Sequence, residues 1–190
     1  MFSFREFFKK HLRPVFVETG SYHGESIQSA LDVGYPLVYS CELSPIYHKI
    51  CLERYAGNGL VHLRFGSSPD CLSQTLPLLG TRATFWLDAH HSGGDTAGTA
   101  KDVTVLQEIA AIEHFQHRHD SAIIMDDANA FGNRECWLDN VSMSDVLDAL
   151  KQCCPQSAIY YDMGADGIGL RSLICSPSVI STNPQIIHRP

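Results

Sequence analysis

Short apolar runs alternate along the chain with stretches in which apolar residues recur at helical spacing. The runs at 15–18, 37–42, 61–65, 83–88 and 122–126 are rich in β-branched and aromatic residues and predict buried strands. Two weaker runs, 158–162 and 171–175, add a sixth and a seventh. Helical patterns at 26–33, 45–55, 71–79, 103–115 and 144–153 fill the intervals. Ser44 caps the second of these helices and Ser142 or Ser144 the fifth. Strand–helix alternation of this kind predicts a Rossmann-like α/β fold, with a doubly wound, mostly parallel seven-stranded sheet. The glycine-rich link at 162–169 predicts that the last two strands pair as an antiparallel hairpin at one sheet edge.

At 190 residues the chain suits a single domain, 1–190, without an interdomain linker. Residues 1–13 hold four phenylalanines among charges, which predicts a short amphipathic helix and makes a poor signal peptide. Residues 176–190 carry three prolines and read as an irregular tail. A net charge of -7 lacks the basic footprint of a nucleic-acid binder, so a small-molecule acceptor is the expected partner. No run is apolar for long enough to span a bilayer, and a cytoplasmic location is expected. The seven cysteines lack paired zinc-site spacing and read as reduced, mostly buried thiols.

The most specific motif is Glu18-Thr19-Gly20-Ser21-Tyr22-His23-Gly24, directly behind the first apolar run, with Glu42 closing the second run eighteen residues after Gly24. Gly20 suits the strand-to-helix turn and Gly24 suits close helix packing. A dinucleotide fingerprint would need glycine where Tyr22 and Glu25 stand, which disfavours a pyrophosphate. A ligand bearing a carboxylate and an ammonium group suits the helix N-terminus and Glu18 instead, with Glu42 placed to reach a ribose. On the glycines alone a plain strand-turn-helix with a glycine cap is the favoured reading, and Glu42 with the later strand-end acids reverses that order.

These residues resemble the first motif of the class I S-adenosylmethionine-dependent methyltransferases, with Tyr22 in place of the frequent middle glycine. The resemblance implies a pocket for S-adenosylmethionine built from Glu18, Gly20, Ser21, Tyr22, Gly24 and Glu42. Adenine contacts fall at Ser68, with Ser67 next, while capping of the following helix by Ser68 and Asp70 is the plainer reading of the same residues. Asp88 and Asp126-Asp127 close the fourth and fifth strands. They are similar to the acids of metal-dependent O-methyltransferases of the catechol and macrocin types, with Asp127 where the catechol type has an amide. That likeness implies Asp88, Asp126 and Asp127 as ligands of Mg2+ or Mn2+.

The implied activity is O-methylation of a sugar or small natural-product hydroxyl, with His90 or His91 taking the hydroxyl proton and Asp88 beside them. The stretch from Asp88 through Gly94 resembles segments of bacterial methyltransferase-like proteins, some associated with sugar modification. Residues 90–99, rich in glycine and short polar side chains, read as a lid, and Trp137 as a packing residue or a sugar platform. His114, His117 and His119 read as solvent-exposed residues near a helix end. Two alternatives stay open. One is a metal-dependent hydrolase using Asp88, His90 and Asp126, since Asp88-Ala89-His90 resembles part of the arginase ligand set. The other is a noncatalytic adenosyl-ligand-binding domain. A second subunit completing the pocket, as a homo-oligomer, is a further expectation.

Overall fold

The computed structural model describes residues 4–89, 103–131, 141–162 and 172–177. Its strands are β1 (Val15–Thr19), β2 (Val38–Glu42), β3 (Val61–Phe65), β4 (Ala83–Leu87), β5 (Ala122–Met125), β6 (Ala158–Asp162) and β7 (Ser172–Ser176). They form one seven-stranded sheet in the order β3-β2-β1-β4-β5-β7-β6. The first five are parallel, and β7 pairs antiparallel with both β5 and β6. Each predicted strand is present, within a residue or two of its expected ends. The last two form the predicted antiparallel pair with β6 at the edge, and β7 is buried along its whole length because it lies between two strands.

Alternation of side chains across the sheet divides the core into two. Val15, Val17, Phe85, Leu87, Ile123 and Met125 face one layer, which holds α4 (Ser68–Thr75), α5 (Val105–Glu113) and α6 (Met143–Cys153). Phe16, Val38, Trp86, Ile124 and Ile174 face the other, which holds α1 (Phe4–Lys10), α2 (Glu25–Val33) and α3 (Pro45–Arg54). Tyr160 packs in this second core and Tyr161 against the first, as strand alternation requires.

The Phe-rich start is a core element. Phe7 and Phe8 are fully buried, and the rings of Phe4, Phe7 and Phe8 all meet Trp86 edge-on. His11, just beyond α1, is 1% exposed, and neither of its ring nitrogens has a hydrogen-bond partner. Burial pushes its pKa down from 6.5 to about 4, opposed by Asp162 and reinforced by Lys10 and Arg13.

Local signals account for the helix starts. The Ser44 hydroxyl accepts from Tyr47 N at 3.4 Å, and Ser142 forms a capping box with Asp145. The helix expected at 71–79 begins earlier, at Ser68, because Pro69 fits its first turn and Ser67 is its N-cap. It ends in a 3-10 turn at Leu76–Leu78. Six cysteines are free and buried, as expected, and Cys136 lies outside the described residues. His114 and His119 are exposed, while His117 is half-buried with its ring 5.5 Å from that of Phe115. Among the described residues no helix is long and apolar enough to cross a membrane.

Candidate functional site

The sheet reverses its winding between β1 and β4, so the carboxyl ends of these neighbours frame a crevice. Gly20 follows directly on the end of β1 there. Gly20 has φ +86, and a Cβ there would lie 2.6 Å from the backbone oxygen of Asp88, which makes any side chain intolerable. Asp88 N donates to both the carbonyl and the hydroxyl of Thr19, at 3.2 Å each, and closes β4 against the turn. Gly24, at φ +81, has the packing role expected of it: a Cβ would come 2.9 Å from the ring of Tyr55, the C-cap residue of α3. The Tyr55 hydroxyl also donates to Gly24 O at 2.6 Å.

Glu42 shares this rim with the turn. One carboxylate oxygen accepts from Tyr22 N and the other from Ser44 N, both at 2.8 Å. The amides of Gly20 and Ser21 donate to Cys41 O, one residue before Glu42, at 2.9 and 3.0 Å. The first-motif turn and the rim acid are therefore brought together. Tyr22, standing where the motif often has glycine, takes φ 46, a left-handed conformation that is strained for a side-chain-bearing residue. Its ring packs against His23 and Tyr47.

Glu18 lies beneath the turn, 1% exposed. Its carboxylate accepts from the Ser26 hydroxyl and, at 2.5 Å, from the Ser40 hydroxyl. Burial raises its pKa from 4.5 to about 7; the serine bonds oppose the rise, and the charges of Glu42 and Glu25 add to it.

Ser68 and Ser67 diverge in their bonding. The buried Ser68 hydroxyl donates to Thr104 Oγ1 at 3.2 Å, while Ser67 donates to Asp70 at 2.6 Å. Neither hydroxyl serves as an N-cap acceptor for α4. A small recess beside β4 and β5 is lined by Leu87, Ala89, Val103, Thr104, Glu108 and Asp126, among others. A larger cavity, about 470 Å3, lies between α4 and α5, lined by Ser73, Leu76, Pro77, Ala111, His114, Phe115 and Gln116. It contains no residue of the sequence-predicted site.

Asp88 and Asp126 close adjacent parallel strands, and Asp126 N donates to Leu87 O at 3.3 Å. Asp126 also accepts from the Ser172 hydroxyl at 3.2 Å. Asp127 takes φ 47 and opens a 3-10 turn at Ala128–Ala130. Among the described residues no three His, Cys, Asp or Glu side chains are arranged to hold a metal ion. His90, His91, the glycine-rich stretch after them and Trp137 lie outside the described residues.

Sequence reasoning missed two features. Leu43, directly after Glu42, is 46% exposed, and Phe65 at the end of β3 is 59% exposed, which puts apolar surface beside the rim acid. An apolar residue following a strand-end acid was the available signal for Leu43. The hydroxyl shell of Glu18 had none, because Ser26 and Ser40 look like ordinary helix and strand residues until the two strands pair.

No protein-family model matches the sequence, and no curated protein does. Solved structures do. The chain is similar to an O-methyltransferase from Bacillus cereus in complex with SAH, at 18% identity and TM-score 0.58, covering 90% of this chain and 77% of that one. It is similar to the O-methyltransferase TomG of Streptomyces achromogenes, involved in tomaymycin synthesis and in complex with SAM, at 14% identity and TM-score 0.60, covering 92% and 78%. A spermidine synthase from Thermotoga maritima is also similar, at 11% identity and TM-score 0.59, covering 90% and 56%. At these identities the likeness is one of fold. Strand order, antiparallel edge and neighbours agree: the chain has the Rossmann-like fold of the class I S-adenosylmethionine-dependent methyltransferases.

Proposed function

We propose that the protein is an S-adenosylmethionine-dependent methyltransferase acting on a hydroxyl of a sugar or small natural product. The observation that carries this reading is the joint geometry of Gly20 and Glu42. A side-chain-free turn, pressed against the end of β4, stands beside a carboxylate held by two backbone amides. Because the spermidine synthase shares the fold, the reading rests on this site rather than on topology.

The residues present fit the adenosyl donor. Each Glu42 oxygen accepts one amide bond and keeps a lone pair for a ribose hydroxyl. Leu43 offers an apolar face to a base, Gly20 lets the turn close against the end of β4, and Glu18 supplies negative charge beneath the turn for an ammonium group. When bound, S-adenosylmethionine supplies an activated methyl group for in-line transfer. The chain's own part is to hold and orient the donor and to accept the acceptor's proton. His90, two positions after Asp88, is our assignment for the proton acceptor, with His91 next. Among the described residues Asp88, Asp126 and Asp127 form no group arranged to hold Mg2+ or Mn2+.

Isothermal calorimetry with S-adenosylhomocysteine, S-adenosylmethionine and NAD tests the reading. Both adenosyl ligands are expected to bind and NAD is not, with Glu42→Gln weakening the adenosyl ligands about tenfold or more. Binding of NAD alone would overturn it, and adenosyl binding without methyl transfer to any hydroxyl acceptor would favour a noncatalytic domain.

A further inference from the structure

Two serines, Ser26 and Ser40, donate to the carboxylate of Glu18, and a third, Ser21, bonds to Ser40, so that their protons can be traced. Ser40 sits opposite Glu18 in the β1–β2 register and donates to its Oε2 at 2.5 Å. Ser40 Oγ also lies 2.6 Å from Ser21 Oγ, and both residues are buried. A serine hydroxyl carries one proton. With the Ser40 proton committed to Glu18, the Ser21 proton must go to Ser40, which leaves the Ser21 oxygen as an acceptor at the turn. Chains of hydrogen bonds polarise one another, so the negative charge of Glu18 is carried through Ser40 to Ser21.

We propose that Ser40 is a positioning residue of the donor site: it fixes the Glu18 carboxylate and, through Ser21, presents its charge at the turn that receives the amino-acid end of the adenosyl donor. This rests on the donor reading given above and adds a proton requirement to it. An ionised Glu18 orders the relay so that Ser21 accepts from an ammonium group. A protonated Glu18 removes both the charge and the order.

Burial raises the pKa of Glu18 to about 7, and charged and titratable groups face it from several elements. Glu42 on β2 and Glu25 on α2 act on it as negative charges. Cys51 on α3 and Tyr55 just after it sense its charge, and burial pushes the pKa of each up to about 12, so they stay neutral while Glu18 titrates. The Ser40 bond favours the ionised form. Its loss in Ser40→Ala is expected to raise the Glu18 midpoint by about one pH unit.

The test measures S-adenosylhomocysteine affinity of the full chain by calorimetry across pH, for wild type, Ser40→Ala and Ser40→Thr. The ligand's own α-amino group titrates identically for every variant, so the ratio of affinities isolates the effect of the Ser40 substitution. The wild-type to Ser40→Ala ratio is expected to fall from about tenfold at pH 6 to within about threefold at pH 9. Ser40→Thr, which keeps the hydroxyl, is expected to restore the wild-type curve. 5′-Methylthioadenosine, which lacks the amino-acid end, is expected to show a ratio independent of pH. An affinity loss that is uniform across pH, or no loss, would overturn the proposal by making Ser40 a packing residue. Carbon-13 NMR titration of Glu18 without ligand separates the two readings. A midpoint raised in Ser40→Ala with no adenosyl binding by wild type would sink the donor site alone. Donor binding with an unmoved Glu18 midpoint would sink the relay alone.

Discussion

Glu18→Gln removes the charge of a fully buried acid while keeping its shape, and its effect on stability has a predictable pH signature. The folded carboxyl has its pKa raised from 4.5 to about 7, chiefly by burial. Between those values the folded state holds more protons than the unfolded state, so wild-type stability attributable to this group declines as pH rises. It is fully present below pH 4.5 and lost above about 7. Taken at 1.36 kcal/mol per tenfold change, the contribution shifts by about 2 to 3 kcal/mol between pH 5 and pH 8. Gln titrates nowhere in this range, and its amide can accept from one serine hydroxyl and donate to the other. In urea unfolding without ligand, the variant is therefore expected to gain about 2 to 3 kcal/mol on wild type between pH 5 and pH 8. A difference that stays constant over this interval would show that Glu18 ionises normally in the fold and would refute the reasoning.

Two further substitutions probe other parts of the structure. Gly20→Ala places a Cβ 2.6 Å from Asp88 O at φ +86, whereas Gly34→Ala, at φ +100, meets nothing within 4 Å. Both carry the left-handed penalty of about 1 to 2 kcal/mol, so thermal melts are expected to show Gly20→Ala as the costlier change, the excess measuring the contact with β4. His11 works in the opposite sense to Glu18. With its folded pKa near 4 against 6.5 unfolded, the unfolded state binds more protons between those values, so stability rises with pH across that window. His11→Leu is expected to flatten that rise by about 2 kcal/mol, read from urea unfolding at pH 5 and pH 7, and an unchanged slope would mean that the imidazole is not the buried base inferred here.

The strands were legible because fully buried parallel strands need nearly continuous apolar runs, and the runs ending at Glu18, Glu42 and Met125 have no competing pattern. Helix ends were harder. Pro69 reads equally as a loop residue or as the first turn of α4, and the choice depends on packing beyond that segment. In the candidate site, the spacing of Gly20, Gly24 and Glu42 singled them out, and the backbone brings the Gly20 turn beside Glu42. What the sequence hid is non-local. The contact of Gly20 with Asp88 and the Ser21–Ser40–Glu18 relay exist only once β1 lies between β2 and β4. Burial of Phe7 and Phe8 likewise follows from docking of α1 on Trp86, which an amphipathic pattern of seven residues cannot announce.

The central claim is that one crevice, between the ends of β1, β2 and β4, receives an adenosyl group. Amide chemical-shift mapping during titration with S-adenosylhomocysteine tests it most directly. The largest shifts are expected at Gly20, Ser21, Tyr22, Glu42 and Leu43, with smaller ones at Ser68. Shifts centred instead on the cavity around Leu76 and Phe115, or no saturable shifts at millimolar ligand, would contradict it.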